Sequence, residues 1–111
     1  MQAADLAAQF NLTVIAGKKG LDRTVAGGHC GDLLSEVMAN APIGSVWLTI
    51  QAHQNIVAVA VLKEMAAIIL TGGNVPDEET REKADAEGLP IMLSDQRMYN
   101  LAGQLYAAGV V

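Results

Sequence analysis

His53 is the side chain of this sequence best suited to acid–base chemistry. Its imidazole titrates close to neutral pH, so it can take up or release a proton under physiological conditions. It closely follows a stretch, 45–50, that has the composition of a β-strand. A hydrogen-bonded structural histidine is the competing interpretation, and the residues around it leave both open.

Other groups that carry out chemistry are sparse or poorly spaced. His29 and Cys30 are adjacent, which is not the spacing of metal ligands, and His53 stands apart from both. The patterns G-x-x-x-x-G-K-[ST], G-x-G-x-x-G and G-x-S-x-G, which mark phosphate loops, dinucleotide sites and hydrolase nucleophiles, do not occur. We therefore expect no metal, no cofactor and no catalytic residue, and we expect that the protein is not an enzyme.

Four short polar stretches each follow a predicted strand. In an open parallel sheet, ligands bind beyond the carboxyl ends of the strands, where helix N-termini point. Two of the stretches contain glycines whose backbone amides are free of bulky side chains, which suits an anionic metabolite such as a nucleotide. Ordinary turn and capping chemistry is the alternative for each stretch. The candidate ligand-binding residues are Asp32, Ser35, Gln51, His53, Asn55, Thr71, Gly72, Gly73 and Ser94.

The elements that must position these residues can be predicted from hydrophobic periodicity and from turn residues. The first half of the chain predicts a helix over 2–10, a strand over 12–15, an extended stretch over 25–30, a helix over 32–40 and a strand over 45–50. Asp32 directly precedes apolar positions at helical spacing. It is therefore predicted to be an N-cap, with its carboxylate accepting from the first free amides of the helix.

The segment 55–65 supports two interpretations. Its run from Ile56 to Leu62 is rich in β-branched residues and favours a strand by propensity. A strand there would meet the next strand, 67–71, across only Met65 and Ala66, with no turn residue, whereas Asn55 can cap a helix. We therefore predict a helix that is covered on every side, because its apolar residues lie all round it.

The rest of the chain alternates strands and helices with short links. A helix is predicted from Pro76 to Gly88, a strand over 90–93, and a last helix capped by Ser94 or Asp95. Such alternation specifies parallel strands. The predicted fold class is α/β, a single three-layer domain over 1–111 with a mostly parallel sheet flanked by helices.

Composition excludes several classes of protein. The net charge of −5 argues against a nucleic-acid partner, because such binding relies on clustered Lys and Arg. No apolar run approaches the roughly 20 residues that a membrane helix needs. Cys30 is the only cysteine, so no intramolecular disulfide can form, and we expect it to be a core thiol. We expect a cytoplasmic protein that binds neither nucleic acid nor membrane.

Several stretches resemble the DRTGG domain family. The resemblance begins at Asp22, Arg23, Thr24, Val25, Ala26, Gly27 and Gly28 and continues with Gly31 to Ser35. The stretches 47–60 and 88–91 are similar to the same family, and the match covers nearly the whole chain. Ala26 departs from the pattern, because the family often has threonine there.

The resemblance implies a fold similar to the N-terminal domain of HPr kinase/phosphorylase and to modules beside CBS domains in some pyrophosphatases and in phosphate acetyltransferases. In those proteins catalysis belongs to other domains. The resemblance thus implies a regulatory or interaction role, as a homodimer, for a DRTGG-like domain over 1–111.

Three functions follow from these observations. The first is a non-catalytic regulatory or ligand-binding module, a homodimer that senses a nucleotide or phosphorylated metabolite. The second is a protein-interaction or assembly subunit of a larger metabolic or redox complex. The third is a small enzyme that uses His53 as acid or base.

Overall fold

Five β-strands and five α-helices follow one another along the chain, and the computed structural model describes all residues, 1–111. The elements are α1 (Ala3–Gln9), β1 (Thr13–Ala16), β2 (Gly27–Cys30), α2 (Leu34–Asn40), β3 (Ser45–Thr49), α3 (Asn55–Leu62), β4 (Ala67–Leu70), α4 (Glu78–Glu87), β5 (Ile91–Leu93) and α5 (Met98–Ala107). A short 3-10 turn, Lys18–Gly20, separates β1 from β2. Every helix and strand predicted from the sequence is present, within a few residues of its predicted bounds.

The strands form one sheet in the order β1-β5-β4-β3-β2. β2, β3, β4 and β5 run parallel to their neighbours, while β1 pairs antiparallel with β5, with Thr13 opposite Leu93. The predicted α/β class is confirmed, but the sheet is mixed rather than mostly parallel. The sequence prediction missed this because β1 joins the sheet beside the last strand rather than beside the strand that follows it in the chain.

Two apolar clusters cover the two faces of the sheet. One face packs against α2, α3 and α4 through side chains that include Val37, Ile56 and Ala84. The other face packs against α1 and α5 through Leu6 and Leu101. The fold is therefore three layers, as predicted, and burial of this aliphatic surface is the main driving force for it.

The segment after β3 is a helix, α3, as predicted against its strand propensity. It ends in a Schellman motif, in which the N–H of Met65 donates to Ala60 O at 2.9 Å and the N–H of Glu64 donates to Val61 O at 3.1 Å. Glu64 adopts the left-handed conformation, with φ of 51°, that glycine usually provides. The prediction of cover on every side was wrong, because Val61 and Leu62 at the end of α3 are exposed.

The charged helix α4 lies on the surface, as its polarity predicts, and buries only Thr80 and Ala84. Asp77 is its N-cap residue, acidic residues occupy its first turn, and Gly88 ends it in the left-handed conformation. None of the helices has the length and apolar composition required to cross a lipid bilayer.

Candidate functional site

The predicted site residues lie along one edge of the sheet, because β2, β3, β4 and β5 are parallel and their carboxyl ends point the same way. Asp32 and Ser35 follow β2; Gln51, His53 and Asn55 follow β3; Thr71, Gly72 and Gly73 follow β4; and Ser94 follows β5. The four loops therefore lie next to one another at this edge of the sheet.

Asp32 connects the first two of these loops. Its Oδ1 accepts a hydrogen bond from the Thr49 hydroxyl at 2.8 Å and another from the Ile50 N–H at 2.9 Å. The Gln51 side-chain amide donates to the Asp32 carbonyl at 3.0 Å. These bonds hold the end of β3 against the loop that leaves β2.

The prediction that Asp32 caps α2 was wrong. Leu33 occupies the N-cap position and α2 begins at Leu34, without a side-chain cap. Asp32 lies one residue before the N-cap position, and its carboxylate is hydrogen-bonded to the end of β3 instead. Ser35, also predicted to bind ligand, lies exposed in the first turn of α2.

His53 is exposed and serves as a local support for α3. Its Nδ1 accepts a hydrogen bond from the backbone N–H of Asn55 at 3.1 Å. Asn55 is the first residue of α3 rather than its cap, and Gln54 is the N-cap. The loop is also anchored to α4, because the Ala52 carbonyl accepts from the Thr80 hydroxyl at 2.7 Å. These contacts favour the structural interpretation of this histidine.

The glycine pair after β4 does not present free amides. The Gly72 N–H donates to Gln96 O at 2.8 Å, and the Gly73 N–H donates to Ser94 O at 3.1 Å. Both glycines have positive φ, which explains the residue type. The amides carry no side chain beside them, as predicted for glycines, but both are engaged because they join the β4 loop to the β5 loop.

The last helix is not capped by Ser94 or Asp95 as predicted. The Ser94 hydroxyl accepts from the Gln96 N–H at 3.1 Å, and α5 begins only at Met98 with Arg97 as its N-cap residue. The residues between β5 and α5 complete the contact with the glycine loop, which delays the start of the helix.

One buried side-chain group in this row of loops has no partner. The Thr71 hydroxyl is buried, with the residue 1% exposed, and its Oγ1 makes no hydrogen bond. The Thr71 backbone is fully used, since its carbonyl accepts from the Asn74 side-chain amide at 2.8 Å. Ser45, at the opposite end of β3, has the same kind of unpartnered buried hydroxyl.

None of the cavities of the protein is lined by the predicted site residues. Two open depressions border α4, and carboxylates, among them Glu78 and Glu82, outnumber the one cation, Arg81, in their linings. The third is a largely apolar cavity of about 110 Å³ between β2 and α5, with Cys30 and Tyr106 in its lining. Carboxylates repel anions, so the α4 depressions do not suit a phosphorylated ligand. No group of three His, Cys, Asp or Glu side chains is arranged to hold a metal ion.

The resemblance residues at the start of β2 are structural in this fold. Arg23 crosses to the end of α4, where its Nε donates to Gly88 O at 3.2 Å and its Nη1 lies 3.5 Å from Met65 O. A guanidinium at this position satisfies terminal carbonyls and complements the helix dipole. Asp22 and Thr24 on either side of Arg23 are exposed.

The two glycines of that motif lie in β2. A Cβ on Gly27 would lie 3.0 Å from Val111 O, whereas one on Gly28 would meet only ordinary contacts. Neither has positive φ. Glycine therefore suits position 27 because the Val111 carbonyl lies close to its Cα, and not because the backbone adopts an unusual conformation.

A polar pair that the sequence did not indicate lies on the α2 side of β2. His29 Nε2 and Glu36 Oε1 are 2.9 Å apart. This hydrogen bond from His29, with a further one from Asn40, lowers the pKa of Glu36 below its ordinary value. The residues are seven apart, one on a strand and the other on the next helix, so no local spacing rule predicts the contact.

Cys30 was predicted to be a core thiol and is instead exposed on β2. The prediction failed because β2 is an edge strand, whose side chains are less covered than those of the central strands. Partial burial of the thiol group, and then the carboxylate of Asp32, raise its pKa above the ordinary value. The thiol is therefore a poor nucleophile at neutral pH.

Comparison with solved structures identifies the fold. The crystal structure of the CBS and DRTGG domains of the regulatory region of Clostridium perfringens pyrophosphatase, complexed with the activator diadenosine tetraphosphate, matches 94% of this chain with a TM-score of 0.70 and 16% sequence identity. The chain has a DRTGG-like fold. The match covers 45% of the pyrophosphatase chain. No family profile and no curated protein sequence matches the chain.

Two of the resemblance residues hold distant segments of this fold together. Arg23 holds the end of α4, and Asp32 holds the end of β3. Both residues join segments that are distant in sequence, so in this chain their contacts are those of a scaffold.

Proposed function

We propose that this protein is a non-catalytic regulatory module of the DRTGG type that acts as a homodimer. The observation that carries the proposal is the likeness of its fold, over 94% of the chain, to the regulatory region of the pyrophosphatase. The fold alone does not transfer a ligand or an activity. The contacts of the strand-end loops supply the rest of the argument.

A non-catalytic role is supported by the use of the polar side chains. Asp32 holds β3, the His53 ring accepts a backbone hydrogen bond, and the Gly72 and Gly73 amides join two loops. A catalytic acid needs a proton, and a catalytic base a lone pair, directed at a substrate. The Nδ1 atom of His53 already accepts a hydrogen bond from the first residue of α3.

A nucleotide or phosphorylated metabolite is the ligand class we propose for the module. Its binding place would be the loops at the carboxyl ends of the strands, where the Thr71 hydroxyl is unpartnered. The matched pyrophosphatase region was crystallised with a dinucleotide activator, which makes this class the first to test. Because the glycine amides are engaged, binding there requires the β4 and β5 loops to separate.

An assembly subunit of a larger complex is the second candidate. One side of the molecule, formed by β2, α2 and α5, carries almost no charge and exposes apolar and aromatic side chains. Such a surface suits contact with protein better than contact with an anion. A ligand screen and a molar-mass measurement on the same sample separate the two candidates.

The test is a thermal-shift screen with nucleotides and phosphorylated metabolites, together with light scattering. A ligand at a hundred times its Kd adds about 2.7 kcal/mol to native-state stability, which gives a clear rise in Tm. Thr71→Val should abolish that rise, and Ser45→Ala is its matched control, because it removes an equally buried, unpartnered hydroxyl at the other end of the sheet. A dimer without any ligand response would favour the assembly role, and a monomer without one would contradict the proposal.

A further inference from the structure

The two edges of the sheet differ in how they are protected. β1 is covered: Arg81 reaches the Ile15 carbonyl at 3.4 Å, and the Gly17 N–H donates to the Asp85 carboxylate at 2.8 Å. Its pairing with β5 is interrupted by an irregularity between Val14 and Ala16. Charged side chains and irregular pairing are the usual devices that prevent a sheet edge from adding another strand.

β2, at the other edge, has none of these devices. The Gly31 N–H donates to Leu48 O at 3.1 Å, and residues of a strand alternate in direction. The N–H and C=O groups of Gly28 and Cys30 therefore point away from β3. Both residues are exposed, and no lysine, proline or acidic residue occurs from 26 to 31.

Charge is depleted on the whole side of the molecule around this edge. The segments 26–44 and 98–111, which build β2, α2 and α5, contain two charged side chains: Glu36, which is hydrogen-bonded to His29, and Asp32, whose carboxylate accepts from the Thr49 hydroxyl and the Ile50 N–H. In contrast, α4 near the opposite edge is charged at most of its positions. Depletion of charge at the centre of a surface is a property of protein interfaces.

Exposed apolar groups flank β2 above and below. On the α2 side, the N-cap residue Leu33 is exposed, three residues before Glu36, which contacts the strand. On the α5 side, Tyr99 and Tyr106 lie seven residues apart on one stripe and are 83% and 68% exposed. Tyr106 also lines the apolar cavity beside Gly28 and Cys30.

We propose that β2 is the homodimer interface, where a second copy of this chain adds its own β2 antiparallel and extends the sheet across a two-fold axis. The inference rests on the dimer part of the proposed function and names its surface. With the axis at His29, Gly28 of each copy lies opposite Cys30 of the other, and their outward N–H and C=O groups form four hydrogen bonds.

A second copy fits this surface for two reasons. A two-fold axis brings each group near its own equivalent, so many like charges on this side would repel one another, and the side carries only Glu36 and Asp32, both held in hydrogen bonds within the chain. A second copy also brings α2 and α5 against their equivalents on both faces of the sheet.

The test is sedimentation velocity over a range of protein concentrations in the presence of a reductant. We expect a dimer whose Kd changes little with salt, because charges take almost no part in the contact. Gly28→Pro removes an outward donor, and Cys30→Lys places a charge on the edge; each should raise the dimer Kd at least about tenfold. Thr13→Lys, on the exposed face of β1, and Cys30→Ser should leave the dimer unchanged.

Amide hydrogen exchange on the unmodified protein keeps the inference testable if a variant fails to fold. The N–H groups of Gly28 and Cys30 should be protected at high concentration and should exchange rapidly on dilution. The β2 interface would be overturned if folded Gly28→Pro and Cys30→Lys still formed dimers. It would also be overturned if the protein were a dimer and these amides stayed unprotected. In both cases the dimer itself would stand. A monomer at all concentrations would overturn both.

Discussion

The Asp32 carboxylate lies 2.8 Å from the Thr49 hydroxyl and joins the end of β2 to the end of β3. The same oxygen accepts from the Ile50 N–H. Because β2 is an edge strand, its carboxyl end is held to the sheet from one side only, by this contact and by hydrogen bonds such as that from the Trp47 indole N–H to Gly31 O at 2.8 Å. The contact makes Asp32 a structural residue whose importance can be measured without knowing a ligand.

Asp32→Ala should destabilise the protein by about 2 to 3 kcal/mol, since it removes hydrogen bonds to a charged acceptor and leaves the Thr49 hydroxyl and Ile50 amide without it. Asp32→Asn keeps an oxygen in the same place and should cost less than half as much. Urea unfolding followed by the fluorescence of buried Trp47 measures both. Equal losses in the two variants would mean that the negative charge, and not the hydrogen-bond geometry, stabilises this corner.

Arg23→Ala should also destabilise the fold, by about 1 to 2 kcal/mol, because the carbonyl of Gly88 at the end of α4 loses its charged donor. Arg23→Lys should recover only part of the loss, since an ammonium cannot reproduce the several directions of a guanidinium. Urea unfolding again provides the measurement. Full recovery by lysine would show that the positive charge alone is sufficient.

Glu64→Gly should stabilise the protein by about 0.5 to 1 kcal/mol. Glu64 has φ of 51°, a conformation that is unfavourable for a residue with a Cβ, and glycine relieves it despite its larger entropy loss on folding. Gly88→Ala is the opposite change at a similar position, with φ of 62°, and should destabilise by about 1 kcal/mol. Differential scanning calorimetry of both variants compares the two helix ends directly.

The His29–Glu36 pair predicts a dependence of stability on pH. The pKa of Glu36 is lowered in the folded state by the hydrogen bond from His29, so its contribution is fully present above the ordinary pKa of 4.5. That contribution is lost as the pH falls through the lower folded-state pKa. Between about pH 5 and pH 3, Glu36→Gln should therefore lose less stability than the unmodified protein.

The matched control for this measurement is Glu82→Gln, which changes an exposed carboxylate on α4. The free energy of unfolding, measured at several pH values, should depend on pH as steeply in Glu82→Gln as in the unmodified protein and less steeply in Glu36→Gln. Parallel curves for both variants would contradict a role for the pair.

Much of the fold follows from local patterns. The helix at 55–65 was predicted correctly because a strand there would have met the next strand across only Met65 and Ala66, with no turn residue. The helix is instead ended by Glu64, which adopts the left-handed conformation although it is not a glycine. What local patterns miss is which strands become neighbours. β1 pairs with β5, and the antiparallel direction of that pair has no signature in either segment.

The candidate site could be placed but not interpreted from the sequence. The rule that parallel strands present their carboxyl ends together located the row of loops from Asp32 to Ser94. The use of each polar group depends on contacts between loops, such as the Gly73 amide with Ser94 O at 3.1 Å. Contacts of that kind join residues far apart in the chain, so spacing alone could not show that the amides are engaged.

The antiparallel pairing of Thr13 with Leu93 also sets the order in which the chain can become complete during its synthesis. β1 cannot pair until β5, which is synthesised later, becomes available, whereas β2, β3 and β4 can pair as soon as each appears. Until residues 91–93 emerge, two growing molecules on one messenger RNA would both expose an unpaired β1. The pairing of β1 with β5 is thus one of the last events of folding, and it removes an exposed strand edge from the nascent protein.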